Sequence, residues 1–289
     1  MPPEFLVVGH VVQDLISADD PGAWRLGGTA AFSSLMARNL GLRTAVLTAA
    51  SDDVDLGALL PGIECRVVPS PRTTRIRNVY SDGRRHQFIP QRAEAIRAGD
   101  LPDDWRATPL VFLGPVAGEV DPALAAAFPR SLVAVGAQGW LRETDAEGRV
   151  RTVSPGRWQA DRVLDNARAL FVSDEDLTGA EAPAALKEWS SRVETVAFTH
   201  GDRGADICHR GEWRRIGAFP AKTVDPTGAG DIFAAGFLVR LHETGDVWEA
   251  ARFGACAASF VVEGEGTAAI PSRERVEERL GAHPEIVCS

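Results

Sequence analysis

TVDPTGAGDIFAAGFLV, residues 223–239, joins a turn to an apolar helix. The ring of Pro226 disfavours the α region at Asp225, and Gly228 and Gly230 let backbone amides crowd together after it. Ile232, Phe233, Phe237, Leu238 and Leu241 follow with few charges, the pattern of a helix buried on most of its surface and starting near Gly228. A buried helix that opens on Gly-Ala-Gly presents unpaired N–H groups and the positive end of its dipole, which makes an anion site. Asp231 adds a carboxylate on that first turn. It reads either as a helix-start residue or as the base that takes a proton from an incoming hydroxyl, and phosphoryl transfer needs both parts.

Upstream, short apolar runs alternate with helical stretches. Residues 5–9 read as a buried strand that continues through 11–16 with Asp14 at its end, where a solvated loop carboxylate is the plain reading. Gly27 and Gly28 open a helix over 29–40 that Gly41 stops, and 44–49 is a strand. From 65 to 89 the pattern changes to CRVVP, RIRNVY and RRHQFI about a Ser81-Asp82-Gly83 turn. This predicts an antiparallel excursion, either a flap over a ligand site or a dimer contact. Strand and helix then alternate through 109–201, with apolar runs at 109–114, 131–139, 169–173 and 195–201. A hairpin about Arg210-Gly211 and helices at 247–262 and 273–280 complete the chain. The pattern predicts one α/β domain over 1–289, with a mostly parallel sheet covered on both faces.

Several classes drop out. A formal charge of -9 opposes nucleic-acid or anionic-membrane surfaces, which need clustered Lys and Arg. Cys65, Cys208, Cys256 and Cys288 lack CxxC spacing, so they read as reduced thiols, and the six His show no metal-ligand spacing. The N-terminus has no basic n-region and no stretch reaches membrane-span length, which makes the cytoplasm the default compartment. Asp231 stands where a P-loop has Lys, and the first strand is followed by a single Gly where a dinucleotide fingerprint needs three.

As a set the motifs resemble one family. VDPTGAGDIFAAGF at 224–237 is similar to the C-terminal signature of the ribokinase-like, or phosphofructokinase B, carbohydrate kinases, and GGTAAFSSLMARNLG at 27–41 to the N-terminal one. The resemblance implies a three-layer α/β sandwich with a small β-rich lid, formed mainly by 65–89 and joined by 17–26. It implies transfer of the γ-phosphoryl group of ATP to an alcohol of a small sugar, polyol or cyclitol, with Mg²⁺ entering on the ATP phosphates. Asp231 would be the base, with Gly228, Ala229 and Gly230 as the anion hole. Asp14, Gly27 and Gly28 would meet the acceptor, and Asp225 and Thr227 would shape the loop on the nucleotide side. Thr199, Gly201 and Gly204 would border the nucleotide, with Gly254 near the adenine.

Two positions depart from the family pattern. Phe32 stands where many sugar kinases of the family have an Asn that touches the acceptor, and Ser173-Asp174-Glu175-Asp176 stands where the family often has Asn-x-x-Glu. Asp176 would then be the remaining side chain near hydrated Mg²⁺. Branches resembling inositol kinases share some of this looseness, including the lack of that Asn, which places a cyclitol beside a sugar as acceptor. A nucleoside kinase, with Phe32 in a base pocket, and a noncatalytic sugar or nucleotide sensor are the alternatives. The lid also offers a surface for a homodimer.

Overall fold

The computed structural model describes residues 1–17, 20, 22–81 and 84–289. Strand β1 (Phe5–Val8) is wholly buried, and its pleat sorts the core: Phe5 and Val7 enter one hydrophobic cluster, Leu6 and Val8 the other. The chain then makes β2 (Val12–Leu15) and β3 (Trp24–Gly27), α1 (Thr29–Asn39), β4 (Thr44–Ala50), α2 (Leu56–Leu59) and β5 (Glu64–Pro69). A hairpin follows in β6 (Thr74–Ser81) and β7 (Arg84–Gln91), then β8 (Leu110–Leu113), β9 (Leu132–Gly136), and a short hairpin of β10 (Arg142–Thr144) and β11 (Val150–Thr152). Next come α3 (Asp161–Leu164), β12 (Ala169–Ser173), α4 (Ala182–Trp189), β13 (Thr195–Thr199), β14 (Ala205–His209) and β15 (Glu212–Ile216). The chain closes with α5 (Ala229–Thr244), α6 (Val247–Val261) and α7 (Arg273–Ala282).

Among the described residues the central sheet has nine strands in the order β15-β14-β13-β12-β9-β8-β1-β4-β5. All neighbours from β13 to β5 run parallel, and only the β13–β14 and β14–β15 pairs are antiparallel. The short apolar runs of the sequence become these doubly covered strands because both faces are dry. On one face Phe5, Val7, Phe112 and Phe171 pack against α1, α5 and α6 through Phe32, Phe237 and Phe253. On the other, Leu6, Val8 and Leu113 pack with Trp105, Trp158 and Trp189 beside α3 and α4. The result is a three-layer α/β sandwich. Among the described residues, no helix is long and apolar enough to cross a membrane.

A second sheet, in the order β3-β2-β6-β7, stands apart from the first. It corrects two expectations. Residues 11–16 do not prolong β1. The backbone N–H of His10 donates to Glu119 Oε1 at 2.9 Å, which takes it off the ladder, and the next strand, carrying Asp14, pairs with β3 and β6. Likewise 65–69 is not lid: β5 pairs with β4 as the edge of the central sheet, Cys65 opposite Val46. Alternating polarity marks a half-exposed strand without saying which sheet it borders. Of 17–26, Trp24–Gly27 begins inside that span as β3, while Ala18, Asp19 and Pro21 lie outside the described residues, as do Asp82 and Gly83 of the expected turn.

Candidate active site

The start of α5 is built by its loop. Asp225 Oδ1 accepts the N–H of Thr227 at 2.9 Å, the N–H of Ala229 turns back to the Pro226 carbonyl at 3.3 Å, and the first helical bond runs from Ile232 N to Gly228 O at 2.9 Å. Gly228 sits at φ 81°, and a Cβ there would lie 2.5 Å from the Phe32 ring, so the position demands glycine twice over. The N–H groups of Gly230 and Asp231 have no partner within the helix, as at any helix start. Val224 and Asp225 both donate to the Val262 carbonyl, at 2.7 and 3.2 Å, which ties the loop to the end of α6.

Asp231 is half-buried there, and α1 holds it from the side. Its backbone carbonyl accepts the Ser33 hydroxyl at 3.1 Å, and the Thr29 side chain favours the ionised form of its carboxylate. Loss of water pushes the carboxyl up to about 6, against the Thr29 hydrogen bond and the Arg142 charge that lower it, while the Asp176 charge adds to the rise. A base that titrates near neutrality suits proton abstraction from an alcohol.

Of the acceptor candidates, Gly27 and Gly28 immediately precede Thr29 in the chain. A Cβ on Gly27 would come within 1.9 Å of Asp14 Oδ2, so the Asp14 carboxylate packs directly on the Gly27 backbone, two residues before Thr29. Gly28, at φ 83°, caps α1 and passes close to the His10 carbonyl. Asp14 lines a cleft of about 330 Å³ together with Arg25, Asn78, Asp225, Thr227 and Glu265. Across it Arg25, from β3, reaches Glu265 at 3.2 Å and Asp225 at 3.8 Å. Asn78 Oδ1 is buried with no hydrogen-bond partner, a group that a donor in the cleft would satisfy.

The donor candidates lie at the carboxyl ends of β12 and β13, the edge where parallel α/β sheets receive ligands. Ser173 and Thr199 end these strands opposite each other. The loop from His200 to Gly204 is closed by His200 N donating to Gly204 O at 2.8 Å and carries Gly201 and Gly204, both at positive φ. The His200 ring spans Asp174 and Asp206, at 3.1 and 2.9 Å, with Arg203 and Arg215 on the same carboxylates. Gly254 is buried in the α5–α6 crossing, where a Cβ would come within 2.7 Å of the Phe233 carbonyl.

Asp176 is 4% exposed. Its Oδ1 accepts Arg142 Nε and Nη2 at 3.1 and 2.8 Å, and its Oδ2 accepts the Ser173 hydroxyl at 2.5 Å. Among the described residues no group of three or more His, Cys, Asp or Glu comes together as a metal would require. A divalent ion here would therefore be held by donor phosphates and water rather than by a protein cage.

Sequence reading passed over Thr29, Ser33, Arg142, Asn78 and Glu119. Glu119 is buried and accepts the N–H groups of His10, Val116 and Ala117, which fixes the exits of β1 and β8. The His10 ring then reaches Thr74 at 2.7 Å and the Glu94 carbonyl at 2.9 Å, anchoring the small sheet that carries Asp14. A lone Glu or Arg between strands carries no spacing signal. Phe32 lies 1% exposed against Gly228, in the core rather than in a base pocket.

The profile of pfkB family carbohydrate kinases matches residues 142–274. The inositol 3-kinase of Oryza sativa subsp. japonica is 33% identical over 252 residues, which are 81% of this chain and 62% of that protein. The chain thus spans about three fifths of that relative's length. The nucleoside kinase of Methanocaldococcus jannaschii is 31% identical over 125 residues, 42% of this chain and 41% of that protein. Among solved structures, a pyrophosphate-dependent kinase of the ribokinase family, complexed with a pyrophosphate analog and myo-inositol, shares the fold. Its TM-score is 0.79 at 22% identity, over 95% of this chain and 99% of that one.

Proposed function

This chain belongs to the ribokinase-like, pfkB carbohydrate kinase family, and on that premise we propose that it moves the γ-phosphoryl group of ATP to a hydroxyl of a small sugar or cyclitol. One observation carries the reading. Thr29, which favours the ionised Asp231 on the first turn of α5, stands two residues after the Gly27 backbone on which Asp14 packs, and this supports base, anion site and polyol-binding carboxylate in one site.

In the reaction the ionised Asp231 takes the proton of the acceptor hydroxyl as its oxygen attacks the γ-phosphorus. The bond from that phosphorus to the bridging oxygen breaks, and ADP leaves with the electron pair. The unpaired amides at the start of α5 meet the charge on the transferred group, which little reorganisation has to accompany. Asp14 accepts hydroxyl protons of the acceptor and sets which oxygen faces Asp231. Mg²⁺ bound by the donor phosphates would neutralise part of their charge. A cyclitol is favoured over a nucleoside because Phe32, the aromatic wall a base would want, is sealed in the core.

Assaying nucleotide or phosphate release against sugars, inositols and nucleosides, with ATP and with pyrophosphate as donors, tests the reading. Turnover of a sugar or inositol with ATP is the expected result. Absence of a phosphorylated product with every pair would sink it.

A further inference from the structure

Resting on the phosphotransferase reading, we propose that Arg142 is a donor-phosphate ligand, with Asp176 and Ser173 as the residues that hold its guanidinium in place.

The placement follows from the sheet. Its order β13-β12-β9-β8-β1 separates the donor-side loops, after β12 and β13, from the acceptor side, after β1. Arg142 leaves the segment that follows β9, between the two. The segment is firmly held: Gly139 N donates to the Pro115 carbonyl at 2.9 Å, Leu141 is fully buried, and Val153 N donates to Leu141 O at 2.9 Å. Trp140 stacks on Trp158 with ring centres 5.7 Å apart.

Arg142 and Asp176 form a pair with side chains 6% and 4% exposed, and the Arg142 charge also acts on Asp231, which puts this cation within reach of both the end of β12 and the start of α5. Only Nε and Nη2 are spent on Asp176 Oδ1, through two of the five N–H bonds of a guanidinium. A fork oriented by one carboxylate suits bidentate recognition of phosphate oxygens. At the family's Asn-x-x-Glu position the carboxylate of Asp176 is taken up by Arg142 and Ser173, and no protein cage for a metal stands beside it among the described residues. The cation on the protein side of the donor is then the arginine itself.

The test is calorimetric titration of the folded protein with inorganic pyrophosphate and with ATP, without acceptor, so no turnover is needed. In Arg142→Gln both affinities should fall by about tenfold or more, the worth of one charge-assisted contact. In Asp176→Asn, which keeps an acceptor for the guanidinium and removes the competing negative charge, they should hold or rise. Inositol binding should stay unchanged in both. If the pair is only a strut, both variants lose thermal stability while anion affinity in the folded protein stays at the wild-type level; that result overturns the inference, as does equal loss of anion affinity in the two variants. Wild-type protein that binds neither anion overturns it as well. The phosphotransferase reading fails separately, by absence of product.

Discussion

The cluster at the end of β12 and the inner face of the small sheet both converge on the start of α5, yet they treat their polar groups in opposite ways. In the cluster, Asp176 has both oxygens occupied by Arg142 and Ser173, all on segments anchored in the central sheet. On the small sheet, Asn78 Oδ1 has no partner, and Arg25 spans the cleft to carboxylates through partly exposed side chains. Exposed pairs of that kind contribute only about 0–1 kcal/mol. The difference teaches where rigidity and choice reside. At the end of β12 the carboxylate of Asp176 is satisfied before any ligand arrives, which fixes the Arg142 guanidinium in advance. The acceptor side keeps unmet hydrogen-bonding capacity that a polyol can meet.

The largest effect that separates the halves belongs to Asp231. Asp231→Asn keeps the Thr29 hydrogen bond but not the base, so kcat should fall by about 10²–10⁴ with little change in the affinity for either substrate. Its stability should move the other way. The folded carboxyl titrates above the ordinary ~3.9 of Asp, so the folded chain holds the proton more tightly than the unfolded one, and stability declines as pH rises through that window to about 6. Above it the native state bears the full penalty, at most about 3 kcal/mol, which the amide removes. Melting temperature should therefore rise in the variant at pH 8 and barely change at pH 4. A variant that is both active and no more stable would break the assignment.

The acceptor half should respond more softly. Asp14→Asn should lower kcat/KM for the acceptor by about 10- to 100-fold, the worth of charge-assisted hydrogen bonds, and leave the KM for ATP in place. Asn78→Ala should raise the acceptor KM by less than that, about severalfold, since a neutral hydrogen bond contributes about 1 kcal/mol. Equal damage to the donor KM in either variant would erase the division between the two sides. The mildest test needs no mutation. Initial rates at saturating ATP should climb about tenfold per pH unit below the Asp231 titration and level off above about 6. Rates that fall across that range would assign the titration to another group.

Much of the start of α5 was legible along the chain because local backbone chemistry writes it. Pro226 after Asp225, glycine at a positive-φ cap and an apolar run behind it leave little freedom at the start of α5. The order of strands and helices was equally legible, since doubly buried strands read as apolar runs. The lid was legible only in part: 65–69 joined the central sheet, and Asp14 moved from the first strand to the second sheet. Alternation marks a half-exposed strand, but the neighbour it takes depends on anchors such as Glu119 and His10, more than a hundred residues apart.

By itself, then, the sequence determined the α/β layering and the glycine-rich start of α5 with Asp231 on its first turn, all consequences of period, turn residues and spacing. Only the tertiary structure decided what surrounds that carboxylate. Burial raises its titration, with Thr29 and Arg142 acting against the rise and Asp176 adding to it, and Phe32 was withdrawn into the core while Gly254 closed a helix crossing. The physical reason is distance: electrostatic and packing partners act over a few ångströms in space, between residues that no local pattern joins.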